Sequence, residues 1–194
     1  MRKSTTILLT LFSLALVSLP SLAAWKLDNE NSRLNFVSVK KASIAENHSF
    51  KKLEGSIDNN GKVNIKVDLT SVDTNIAIRD ERMKKFLFES DKYLSALFNA
   101  QLDNKMLATL KVGESRVTSV SGTLNFHGQS QVIMIDVNVS KLSKDSLFVS
   151  TVKPFFIKAD AFGIVAGINK LKELAALPSI DYVVPVNFSV TFTH

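Results

Sequence analysis

The feature that most constrains this chain is the recurrence of apolar side chains at every second position, interrupted by one segment of helical period. Val63, Ile65, Val67 and Leu69 alternate with Lys62, Asn64, Lys66 and Asp68, the pattern of a strand with one buried and one wet face. The same period returns at Leu53, Gly55 and Ile57, and over residues 96–102, 115–126, 133–139 and 184–192. Asp58-Asn59-Asn60-Gly61 predicts a hairpin, because Asn-Gly suits a turn that needs positive φ. His127-Gly128-Gln129-Ser130 predicts a second turn. Near the start, Trp25-Lys26-Leu27 precedes a polar turn over 28–32, after which Leu34, Phe36 and Ser38 share a strand face. Residues 40–49 are polar, without strong periodicity, and read as a connection. Residues 147–157 are strand-like up to Pro154, which demotes their end to an edge or a bulge.

Residues 70–98 break this rhythm. Ile76, Met83, Phe86 and Leu87 have the spacing of one helix face. Asp80–Lys84 and Glu81–Lys85 are i,i+4 pairs in the favourable order on the opposite face. Thr74 or Asn75 is expected to cap the helix. A second helix-compatible segment, 164–177, ends at Pro178. About eight hairpin-linked strands predict an all-β antiparallel barrel or sandwich, with an amphipathic helix covering the end of its sheet.

The first residues carry a different message. Arg2 and Lys3 precede an apolar run over 7–17, and Ser21-Leu22-Ala23 offers a cleavage site. This predicts a secretory signal peptide over 1–23, with an apolar run shorter than the roughly 20 residues needed to span a bilayer. Residues 24–194 then form one domain, since no linker, repeat or low-complexity tract divides them. The chain has no cysteine, so disulfides and a lipoprotein anchor are excluded. Discounting Arg2 and Lys3 leaves 22 basic residues against 18 acidic, a net charge of +4. With no dense basic block, nucleic-acid binding is not expected, whereas weak attraction to anionic lipid is compatible with that charge.

Little points to catalysis. His48, His127 and His194 lack metal-ligand spacing, and there is no HExxH, CxxC, G-x-S-x-G or P-loop motif. No catalytic residue, metal or cofactor is expected. His127 is the one candidate general base, for a hydrolase or isomerase acting on a lipid-like substrate; the plainer reading is a histidine bonded to its own turn. The apolar inventory says more. There are 13 phenylalanines against two tyrosines and one tryptophan. Phe36, Phe98, Phe126, Phe188 and Phe192 fall on inward faces, and Gly55, Ala96, Ala100 and Gly122 leave room between them. An eight-stranded barrel either fills its interior with side chains or holds one slender ligand, and composition leaves both open.

Several motifs resemble one family. Thr70-Ser71-Val72-Asp73-Thr74-Asn75, then Arg79-Asp80, Phe88 and Tyr93, are similar to the signature of YceI-like proteins. So are Val120-Ser121-Gly122-Thr123-Leu124-Asn125-Phe126-His127-Gly128, the segment Asp160-Ala161-Phe162-Gly163-Ile164, and the opening from Leu27-Asp28 through Ser32 to Phe36. The resemblance covers essentially all of 24–194. Arg82 stands where many members carry histidine, and Leu94 replaces a proline usual after the tyrosine.

The resemblance implies an extended eight-stranded antiparallel lipocalin-like barrel with one or two short helices, exported to the periplasm. It implies a non-catalytic binding or carrier protein for a long polyisoprenoid or fatty-acid-like amphiphile, with links in the family to isoprenoid quinones and stress response. A ligand-free structural protein is the rival, stable membrane insertion is not expected, and a homodimer is left open. Phe36, Ile65, Met83, Phe86, Phe98, Ala100, Phe126, Ile135 and Phe188 are the expected ligand contacts. Asp73, Arg79 and Asp80 are expected to tie the helix to the strands by charged hydrogen bonds, and Arg79 is also placed at the ligand head group.

Overall fold

Alternating residues build strands here because every inward side chain buries against one shared interior while its neighbours stay wet. The computed structural model describes residues 25–194, and the expected signal peptide, 1–23, lies outside the described residues. The chain runs through β1 (Trp25–Lys40), β2 (Ile44–Phe50), β3 (Leu53–Ile57), β4 (Lys62–Asp68) and β5 (Val72–Asp73). Next comes α1 (Ala77–Arg82), which runs straight into a π-helical stretch, Met83–Leu87. Then follow β6 (Ser95–Gln101), α2 (Asn104–Thr109), β7 (Ser115–Phe126), β8 (Gln129–Ser143) and β9 (Ser146–Thr151). The chain ends with β10 (Phe155–Lys158), α3 (Val165–Leu174) and β11 (Val183–Thr193).

Eight of these strands close on themselves in the order β1-β3-β4-β6-β7-β8-β9-β11 and back to β1. Each of those pairings is antiparallel, so the barrel has no open edge. The turns behave as their residues demand. Gly61 takes φ of +76° between β3 and β4, and Asp58 accepts hydrogen bonds from the amides of Asn60 and Lys62. His127 and Gly128, at φ of +51° and +75°, make a two-residue turn that pairs Phe126 with Gln129.

β1 and β11 outrun the barrel. Leu34 to Lys40 of β1 pair with β2, the first residues of β11 pair with β10, and β5 pairs with β2. The wall β5-β2-β1-β11-β10 therefore rises past one rim, here called the upper end. The helical segment and α3 pack against it through Met83, Leu87, Phe88, Ile164 and Ile168, together with Phe36, Ile157 and Val186. Gly167 permits the close meeting of the two helices. A Cβ there would stand 2.5 Å from the Phe86 carbonyl oxygen and 2.8 Å from Leu87 Cα, so backbone meets backbone only without a side chain. Below, Leu53, Ile57, Val63, Val120, Val137, Val139, Leu147, Val190 and Phe192 form the barrel's own core.

Four local expectations are corrected. Residues 40–49 are not a connection, since most of them belong to β2. The polar turn over 28–32 is a bulge inside one long strand, held by Asp28 and by the Ser32 hydroxyl, which donates to the Asp28 carbonyl at 2.6 Å. The helix begins after Ile76 rather than being capped by Thr74 or Asn75. Asp80 is engaged by Thr74 instead of Lys84: its Oδ1 accepts from the Thr74 amide at 2.8 Å and from the Thr74 hydroxyl at 2.5 Å. A further short helix, α2, was not expected; Asp103 caps it by accepting from the Lys105 amide at 2.9 Å.

Candidate functional site

The inward faces do not fill the molecule. A lower chamber inside the barrel has a volume of about 130 Å³. A water molecule takes up about 30 Å³ of liquid, so the space far exceeds a packing defect. Its wall is wholly aliphatic or phenyl, including Ile65, Phe98, Ile135, Phe188 and Phe192. An upper chamber of about 440 Å³ lies between the strand wall and the helices. Leu34, Val67, Ala96, Leu124 and Phe155 line both chambers and form a collar between them.

Rings frame the upper chamber. Phe36, Phe50, Phe88 and Phe126 line it and follow one another with centroid separations of 5.3, 5.6 and 6.1 Å, tilted as aromatic quadrupoles prefer. Phe162, outside the lining, lies 5.4 Å from Phe126. Ile76 and Ile78, which also line the chamber, are about half exposed.

Polar groups gather on one side of this upper chamber. Arg79 of α1 donates from Nη1 to Glu46 of β2 at 2.9 Å and from Nη2 to the Thr74 carbonyl at 2.7 Å. Lys40 reaches the same Glu46 oxygen at 2.9 Å. Together these cations hold the Glu46 carboxyl below its ordinary range, with Lys40 the larger cause. Two positions further along β2, His48 is 3 % exposed, with Nε2 2.9 Å from the Ser38 hydroxyl and its ring 5.2 Å from Phe36. Burial pushes the His48 imidazole below its usual value, and the nearby Arg79 adds to the effect. Among the described residues, two buried side-chain polar atoms lack a hydrogen-bond partner: His48 Nδ1 and Arg79 Nε.

Eight of the ten expected ligand contacts divide between the two chambers. Phe36, Met83, Phe126 and Arg79 line the upper chamber, and Ile65, Phe98, Ile135 and Phe188 line the lower one. Phe86 and Ala100 line neither. Phe86 sits where its carbonyl faces Gly167 of α3. The Phe98 ring lies across Gly122, the cross-strand partner of Ala100, and takes up the room at that level. Arg79 ties the helix to Glu46 instead of Asp73, which pairs with Lys51 at 2.9 Å. Glu46 and His48 escape a sequence reading because the polar residues of β2 carry no strand period.

His127 has an acidic partner the sequence did not reveal, Glu89, whose Oε2 lies 2.7 Å from Nε2. The Tyr93 ring packs 4.5 Å from the imidazole. This group pins the β7–β8 turn to the residues after the helix, and His127 lines neither chamber. Among the described residues, no cluster of His, Asp and Glu is arranged to hold a metal ion, and no helix is long and apolar enough to cross a membrane.

Comparison with known proteins agrees with this geometry. The structure superimposes on a polyisoprenoid-binding domain from Saccharophagus degradans implicated in plant cell wall breakdown, with a TM-score of 0.86 and 39% identity. That match covers 88% of this chain and 98% of the other. BcnA of Burkholderia cenocepacia shares the fold at a TM-score of 0.67 and 18% identity, over 85% of this chain and 98% of its own. The YCEI protein of Campylobacter jejuni does so at 0.54 and 18%, over 76% and 84%. No match is found among the curated proteins. The family model for the YceI-like domain matches residues 25–192, and with that match the chain belongs to the YceI-like family.

Proposed function

We propose that this protein is an exported, non-catalytic carrier that holds a long isoprenoid or other acyl-chain amphiphile inside its barrel. The observation that carries this reading is the lower chamber, a space walled entirely by aliphatic and phenyl side chains. A solid core would close that space. A hydrocarbon chain entering it gains about 0.8 kcal/mol per buried methylene without any directed contact. The likeness to a polyisoprenoid-binding domain at 39% identity supports the same ligand class. Isoprenoid quinones fall within that class, and a role in stress response would follow from which lipid is carried. His127, absent from both chamber walls and held by Glu89, supports no lipid hydrolase or isomerase.

Titration of the delipidated protein with prenols of increasing chain length tests the reading. Affinity should climb with each isoprene unit until the chambers are full; no dependence on length would refute it. Export through residues 1–23 is part of the proposal, and the protein recovered from the periplasm should begin at Ala24 or Trp25. A folded protein still carrying Met1 would remove that part.

A further inference from the structure

We propose that His48 and Arg79 form a head-group socket in the upper chamber, one that selects a lipid ending in an oxygen acceptor, a carboxylate above all. The inference rests on the carrier reading and adds the orientation and chemistry of the ligand. A folded chain leaves few buried polar atoms without partners, and the two left so among the described residues both belong to side chains lining this chamber. They are also drawn together by common neighbours. Phe36 pairs with His48 and Ser38 with Glu46 across β1 and β2, and Glu46 in turn holds Arg79.

The chemistry of the missing partner follows from the groups already engaged. Arg79 Nε carries a proton at any ordinary pH and is a donor only, so its partner must accept. The Ser38 hydroxyl occupies the other imidazole nitrogen, which leaves His48 Nδ1 to meet the same head group. Beside Arg79 a cationic head is disfavoured, because the Glu46 carboxylate already takes Lys40 and Arg79. Lys40, Arg79 and Arg82 line the chamber against Glu46 and Asp181, so its wall has one positive charge in excess. That excess favours a carboxylate over a neutral carbonyl or hydroxyl. With the head so placed, the tail runs through the collar at Ala96 into the lower chamber.

The test uses the delipidated full chain loaded with N-phenyl-1-naphthylamine, an uncharged apolar fluorophore, displaced in turn by hexadecanoate, hexadecanol and hexadecylammonium. These share one tail and differ only at the head. Hexadecanoate should displace the dye at a concentration roughly tenfold below the ammonium, a factor equivalent to about 1.4 kcal/mol, with the alcohol between them. Arg79→Met and His48→Phe should each shrink that spread, read within each variant as the ratio of the lipid concentrations that displace the dye. Arg79 also anchors α1 through Thr74 and Glu46, so if Arg79→Met fails to melt cooperatively, His48→Phe decides. Equal displacement by all three lipids in the wild type, or an undiminished preference in a folded variant, overturns the socket and leaves the carrier reading standing. A wild type that takes up no dye overturns both.

Discussion

Ala96 is where the two chambers can be shut off from one another, because its methyl group belongs to the wall of both. Ala96→Phe puts a ring into space that is open in the delipidated protein. In a filled interior the same change would be overpacking and would cost about 1–3 kcal/mol. In a hollow collar the ring buries apolar surface, and the delipidated variant should unfold within about 1 kcal/mol of the wild type. Binding responds differently. The lower chamber is lined along β8 from Ile133 to Val139, about 20 Å of strand at roughly 3.4 Å per residue. Strand tilt of about 35–45° reduces that to about 15 Å of depth. A chain barred from this depth loses about 0.8 kcal/mol per methylene, so excluding even about four of them costs about 3 kcal/mol, at least roughly a 200-fold loss of affinity. Chemical denaturation of the delipidated proteins, beside titration with a fluorescent prenyl probe, measures both quantities. A loss of several kcal/mol in the delipidated variant would mean that the interior is filled at Ala96. Unchanged affinity in a stable variant would mean that the chain does not pass there.

Acid should weaken the fold in two separable stages. Burial, reinforced by Arg79, holds His48 below its ordinary value of 6.5, so the unfolded chain gains a proton there before the folded one does. Its stabilising effect is complete above about pH 6.5 and declines as the pH falls towards the folded value; His48→Phe should flatten that part of a stability–pH profile, and an identical slope would refute the assignment. Glu46, held low by Lys40 and Arg79, contributes above its ordinary 4.5 and loses that contribution as the pH falls below it. Gly167→Ala should cost about 1–3 kcal/mol in urea denaturation, since the added methyl meets the Phe86 carbonyl. A midpoint equal to the wild type's would show that α3 shifts freely.

The barrel was legible wherever inward residues are apolar and outward ones polar, as in β4 with Val63, Ile65 and Val67, or β7 closing at His127-Gly128. It became illegible at β2, and the reason is physical. Three alternate positions of β2, Glu46, His48 and Phe50, line the upper chamber, and two of them are polar, so the period that marks a strand is erased where charged groups are needed. Local rules fail most readily at such sites. The partners of Arg79 and His127 were hidden for a different cause: Glu46 and Glu89 are 33 and 38 residues away in sequence, and only the closed barrel brings them near. Ala100 was assigned to the correct strand face, but the lean of the Phe98 ring over Gly122 decides which small residue borders open space. That lean is a packing outcome with no signature along the chain.

The central claim is that the chambers are occupied in life, and native mass spectrometry of the protein isolated gently from its own cells tests it most directly. Its mass should exceed that of the polypeptide, by an excess lost on organic extraction and recovered in the extract as a long-chain lipid with an oxygen-bearing head. A bare polypeptide mass, together with a melting temperature that extraction leaves unchanged, would contradict it.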